Sequence, residues 1–102
     1  MKQIDATSLA AALQSATPPV LLDVREDFER EAFHIGGIWI PLAELIHQKD
    51  RIPQDQPVVI YCRKGIRSQI AIQKLEDRFG FDNLINLDGG MDAWHKAGLA
   101  RP

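Results

Sequence analysis

Cys62 is the single cysteine of a 102-residue chain, and it opens the segment Cys62-Arg63-Lys64-Gly65-Ile66-Arg67-Ser68. The residues before it, Val58-Val59-Ile60-Tyr61, are β-branched or aromatic and uncharged, which predicts a buried central strand. A helix is expected to open at Arg67 or Ser68 and to run to about Phe79, with Gly80 as its stop. A strand thus delivers a thiol into a short loop that feeds a helix start. Such a start presents unpaired N–H groups and a partial positive charge of about half an elementary charge. Gly65 can adopt angles that turn successive N–H groups inward as an anion-binding nest. Arg63, Lys64 and Arg67 add cationic charge, and from Gln56 through Leu75 there are four basic residues and no acid. Settings of this kind bring a cysteine pKa from ~8.5 into the range of roughly 3.5–7.5, so Cys62 is expected to be substantially thiolate at neutral pH. A lone cysteine after an apolar strand also suits a small buried hydrophobe, and it is the cationic, glycine-containing loop that favours a function. The cradle alone does not choose between phosphate binding and thiol chemistry.

The elements that must position this loop follow from periodicity and punctuation. Thr7-Ser8 ahead of Leu9 to Leu13 reads as a capped short helix ending before Pro18-Pro19. Val20 to Val24 reads as a buried strand, and Arg25 to Glu31 as one or two turns of exposed helix. Ile38 to Ile40 is a second short strand, and Leu42 to Lys49 has apolar residues at helical spacing. Leu84 to Leu87 is a final strand, and Asp88-Gly89-Gly90 turns into a closing helix that contains Ala93 and Trp94. Strands alternating with helices predict an α/β fold, a mainly parallel sheet flanked by helices on both faces. Sites in such sheets form beyond the carboxyl ends of strands, where Cys62 stands.

Composition sets outer limits. The length predicts one domain over residues 1–102. Twelve Lys and Arg against 14 Asp and Glu give a net charge of −2, which argues against nucleic-acid or anionic-membrane partners. No apolar run approaches the ~20 residues of a bilayer span, and Met1 to Thr7 lacks the apolar core of a secretory signal. A single thiol excludes an internal disulfide and fits a reducing compartment, most simply the cytoplasm. An oxidised or persulfidated Cys62 would have to discharge onto another molecule. His34, His47 and His95 show no metal-ligand spacing, and no metal or cofactor is expected.

Four segments together resemble a single-domain rhodanese, of the thiosulfate sulfurtransferase family, over nearly the whole chain. They are Leu22-Asp23-Val24-Arg25 with Glu29; His34-Ile35-Gly36-Gly37-Ile38 through Ile40-Pro41-Leu42; the Cys62 to Ser68 loop; and Leu87-Asp88-Gly89-Gly90 with Ala93-Trp94 and Ala97-Gly98. Gly36 stands where the family usually has proline, and Phe33 where it usually has glycine, which puts local loop geometry in question. Core filling is the favoured role for Phe33. The resemblance implies a rhodanese fold and a two-step transfer. Cys62 takes the outer sulfur of thiosulfate or a related donor as a persulfide, and cyanide or a thiol, including a protein thiol, removes it. Arg63, Lys64, Gly65, Ile66, Arg67 and Ser68 would bind the anionic donor. Asp23 and Arg25 would brace the loop, and the protein is expected to act as a monomer. Arg67 is left open between anion ligand and a tie from the loop to the sheet, and Arg25 with Glu29 could form a helix-surface pair. Ser68 is expected to meet backbone N–H groups at the helix start, and Trp39 and Trp94 to pack in the core or at its rim. The acidic stretch Glu26 to Glu31 reads as a solvated face.

Three other functions compete. A cysteine-dependent phosphatase or arsenate reductase uses a similar cysteine-to-arginine loop, but the phosphatase pattern has one residue more between them. A binding module without catalysis is disfavoured by the presence of Cys62. A sulfur relay that accepts from a persulfidated donor enzyme keeps the chemistry and changes the partner, while the two basic residues after Cys62 favour a small anionic donor.

Overall fold

The structure, a computed structural model, describes residues 1–102. Its strands are β1 (Lys2–Ile4), β2 (Val20–Asp23), β3 (Ile38–Trp39), β4 (Val58–Tyr61) and β5 (Leu84–Leu87). Its helices are α1 (Ala6–Leu13), α2 (Asp27–Ala32), α3 (Ile66–Phe79) and α4 (Gly90–Lys96). The strands form one sheet in the order β1-β5-β4-β2-β3, and every pairing is parallel. The α/β architecture expected from the alternation of elements is therefore the one observed. No helix is long and apolar enough to cross a membrane.

Both faces of the sheet are covered because successive residues of a strand point to opposite sides. From β4, Val58 and Ile60 enter a core with Ala71, Ile72 and Leu75 of α3. Val59 and Tyr61 enter the other core, with Leu9 of α1 and Met91 and Trp94 of α4. All four β4 residues are buried, as the uncharged run predicts for a central parallel strand. Trp94 fills the second core, while Trp39 sits at a rim with its indole N–H on the Arg25 carbonyl at 2.8 Å.

Local departures have physical causes. β1 carries no apolar run and exists because its backbone pairs with β5, Gln3 lying opposite Asn86. α1 begins at Ala6, ahead of the expected Thr7-Ser8 cap, since the Asp5 carboxylate accepts the Ser8 N–H at 2.7 Å and serves as N-cap. The Leu42 to Lys49 stretch is not an α-helix. It forms separate 3₁₀ turns at Leu42–Glu44 and Lys49–Arg51, and these place Leu45 and Ile52 in the core without a continuous ladder. α3 starts at Ile66, slightly ahead of expectation, and ends at Gly80 as expected.

Candidate active site

Cys62 follows Val58 and Ile60 on the α3 face of β4, directly past the strand's end. Its side chain is 1% exposed. The Gly65 N–H donates to Sγ at 3.1 Å and the Ser68 N–H at 3.4 Å. Gly65 is the N-cap of α3 with φ +87°, so Ile66, Arg67 and Ser68 supply the helix's first unpaired N–H groups. The carbonyls of the same loop are drawn the other way. Met91 N–H donates to the Cys62 carbonyl at 2.8 Å and Asp92 N–H to the Arg63 carbonyl at 2.9 Å. This needs the first turn of α4 to lie against the loop. A Cβ on Gly90 would sit 2.4 Å from the Cys62 oxygen and 2.6 Å from the Arg63 carbonyl carbon. With its carbonyls taken by α4, the loop is left to aim its amides at the sulfur.

Cys62 forms the floor of a cavity of about 210 Å³ lined by Arg63, Lys64, Ile66 and Arg67. Lys64 makes no ion pair, and Arg63 makes only an exposed 3.4 Å contact with Asp92. Arg67 is held from outside the loop. Its two terminal nitrogens donate to Glu29 Oε1 and Oε2 at 2.7 and 2.8 Å, a bidentate clamp that ties α3 to α2. The Arg67 hydrogen bonds hold the Glu29 carboxyl at about 2, and Glu29 in turn raises the Arg67 guanidinium above its ordinary value. Of the two roles open to Arg67, a tie is present, and it runs to helix α2 rather than to the sheet, while the side chain still lines the Cys62 cavity. Arg25 and Glu29 do not pair, because each has a better partner. Nor is Glu26 to Glu31 wholly a solvated face, since Glu29 is largely covered.

Asp23 and Arg25 lie outside the lining of the Cys62 cavity. Asp23 is fully buried and accepts from Arg25 Nε at 2.9 Å, Arg25 Nη2 at 3.1 Å and Arg30 Nη1 at 3.3 Å. Arg25 also donates to the Phe33 carbonyl at 2.8 Å and stacks 5.4 Å from the Tyr61 ring centroid. The pair fastens both ends of α2 to the sheet. Its link to the cysteine loop is therefore indirect, through the helix that carries Glu29.

Ser68 is buried, and its hydroxyl meets side chains where backbone N–H groups were expected. Its Oγ lies 3.4 Å from Cys62 Sγ and donates to Asn86 Oδ1, and Asn86 Nδ2 donates to Gln3 Oε1 at 2.8 Å. Asn86 escaped the sequence reading although a signal existed: alternation in Leu84-Ile85-Asn86-Leu87 sets it on the same side as Leu84, facing α3. Glu29 and Gly90 were visible only as parts of larger motifs, and nothing local marked their contacts. At the two positions that depart from the family pattern, Gly36 donates its N–H to His34 Nδ1 at 2.9 Å, a bond proline could not make, and accepts from Tyr61 Oη at 2.9 Å. Phe33 packs partly buried against the second core, its ring 4.7 Å from His95. It also lines a groove of about 670 Å³ that shares Arg63 and Arg67 with the cysteine cavity.

A wholly parallel sheet that delivers a cysteine into an amide-lined, cationic loop defines a class of α/β domain built around one buried thiol. The Rhodanese-like domain family matches residues 5–97, and the chain belongs to that family. It is 37% identical to thiosulfate sulfurtransferase GlpE of Shewanella oneidensis, over 76% of this chain and 76% of the relative. A rhodanese-like domain protein of Staphylococcus aureus superposes with a TM-score of 0.87 at 30% identity, covering 100% of this chain and 99% of that one. Probable adenylyltransferase/sulfurtransferase MoeZ of Mycobacterium tuberculosis is 34% identical over 82% of this chain, which spans only 22% of that relative's length.

Proposed function

We propose that this protein is a sulfurtransferase that moves a sulfane sulfur from thiosulfate, or a related anionic donor, to a thiophilic acceptor through a Cys62 persulfide. The observation that carries this reading is the pair of amide N–H groups on Sγ, at 3.1 and 3.4 Å, beneath a cavity with a cationic rim. Donors fixed in this way stabilise negative charge on the sulfur without a general base. The thiolate attacks the outer sulfur of thiosulfate, the S–S bond of the donor breaks, and sulfite leaves with the electron pair. The enzyme retains Cys62–S–S⁻, so charge balances at three negatives on each side. Cyanide or a thiolate then attacks the outer sulfur and Cys62 leaves as thiolate. Arg63 and Lys64 are placed to offset the donor's two charges, and the small cavity suits one added sulfur atom. The single free thiol fits a reducing compartment, most simply the cytoplasm.

Intact mass after mixing with thiosulfate tests the reading. One sulfur atom should be gained, lost again on adding cyanide, and never gained by Cys62→Ser; an unchanged wild-type mass refutes the assignment. A second reading, relay from a persulfidated protein donor, is supported by the exposed Phe28, Ile66 and Ile70. Ile66 borders the Cys62 cavity and Phe28 the adjoining groove. Faster loading from a persulfidated protein than from thiosulfate would favour it. Aryl-phosphate hydrolysis rivalling sulfur transfer would favour the phosphatase alternative.

A further inference from the structure

A continuous line of polar side chains runs from the sulfur to the edge of the sheet. It comprises Cys62 Sγ, the Ser68 hydroxyl, the Asn86 amide and the Gln3 amide. Ser68 and Asn86 are fully buried, whereas Gln3 is exposed on β1, opposite Asn86 in the strand register. A hydroxyl has a single proton to give. Given to Asn86 Oδ1, it leaves only lone pairs toward the sulfur, which suit an S–H donor and repel a thiolate. The same heavy atoms support the opposite polarity. Rotation of each amide about one side-chain bond exchanges its oxygen and nitrogen, which are alike in shape. Gln3 Nε2 then donates to Asn86 Oδ1, Asn86 Nδ2 donates to Ser68 Oγ, and the Ser68 proton points at Sγ.

We propose that Asn86 and Gln3 are positioning residues that form a reversible hydrogen-bond relay, its direction setting whether Ser68 accepts from a Cys62 thiol or donates to a Cys62 thiolate or persulfide. The inference rests on the reading that Cys62 works as a sulfur anion. When the thiol proton leaves for solution, the amides turn and the Ser68 proton changes partner; no proton travels along the relay. The Gly65 and Ser68 N–H groups donate in either state, so the Ser68 hydroxyl is the donor that follows the charge. The relay also explains why a strand residue flanked by apolar neighbours is an asparagine. Its amide is satisfied at both ends, and a buried group of this kind is costly unless paired.

Gln3 is exposed on an edge strand, so it can be replaced without disturbing the core. Gln3→Glu can only accept and pins Asn86 Oδ1 toward Ser68. Gln3→Lys can only donate and pins the reverse. The rate of Cys62 alkylation by iodoacetamide is followed against pH. The inflection of Gln3→Lys should lie below that of Gln3→Glu by about half a unit or more, about a threefold difference in the thiolate-to-thiol ratio at fixed pH. The new charges act through space in the same direction, so both variants are repeated in a Ser68→Ala background. There the through-space effect survives and the relay cannot, and most of the gap should close. Should Ser68→Ala fail to fold, Asn86→Leu breaks the relay one link further out. No gap, or a gap the second substitution leaves intact, overturns the proposal. The charged groups around the sulfur are common to all these proteins: Arg63, Lys64, Arg67 with Glu29 of α2, Asp92 of α4, and the Asp23–Arg25 pair at the end of β2. Alkylation needs no sulfur donor, so its failure and failure of the mass experiment are separately readable.

Discussion

Under the proposed function, a sulfur that receives two amide N–H groups beneath cationic side chains would be prepared for attack by its surroundings and would need no neighbouring base. His34 already uses Nδ1 to accept the Gly36 N–H, and His95 lies edge-on to Phe33. Cys62→Ser, which changes one buried atom, should abolish sulfur uptake and leave the melting temperature close to wild type. Arg67 carries a sharper expectation because Glu29 competes for its guanidinium. Glu29→Gln should free that charge and lower the thiosulfate KM, whereas Arg67→Ala should raise it. If both substitutions only lower the melting temperature, the clamp is a strut.

Helix α2 buries none of its residues and depends on polar contacts at both ends. The Glu29 carboxyl sits at about 2 in the folded protein against an ordinary 4.5, chiefly because Arg67 donates to it. Between these values the unfolded chain binds more protons, so the contribution is complete above about 4.5 and is lost as pH falls toward 2. Melting temperature against pH should therefore drop less steeply in acid for Glu29→Gln than for wild type. Equal slopes would remove Glu29 as the cause. The docking of α4 on the cysteine loop is tested by Gly90→Ala. Its Cβ would fall 2.4 Å from the Cys62 carbonyl oxygen, at a residue with φ +58°. The backbone conformation alone costs about 1–3 kcal/mol, and displacement of the loop carbonyls should also slow sulfur uptake.

Strands β2, β4 and β5 each send side chains into both cores, and β4, buried throughout, lies at the middle of the sheet. Ile60→Ala should cost about 2–5 kcal/mol in urea unfolding, the range for truncating a buried isoleucine; a loss below ~1 kcal/mol would mean the core closes over the gap. The parallel α/β fold was readable because β4 is uncharged throughout and because helical and strand periods alternate along the chain. Edge strand β1 was not readable, since Lys2-Gln3-Ile4 shows no pattern until β5 lies beside it. The Leu42 to Lys49 stretch misled for the opposite reason. Its apolar spacing is that of a helix, yet tight separate turns bury Leu45 and Ile52 equally well.

By itself, the amino-acid order determined the cysteine loop. Strand, thiol, glycine, cations and helix start are contiguous from Val58 to Ser68, so the loop's place between a strand end and a helix start follows from local backbone rules. Only the tertiary structure decided what surrounds that loop. Glu29 reaches Arg67 across 38 residues, Asn86 reaches Ser68 across 18, and Gln3 reaches Asn86 across 83. Periodicity says which face a side chain turns to, but which element lies against that face is set by the crossovers that order the strands.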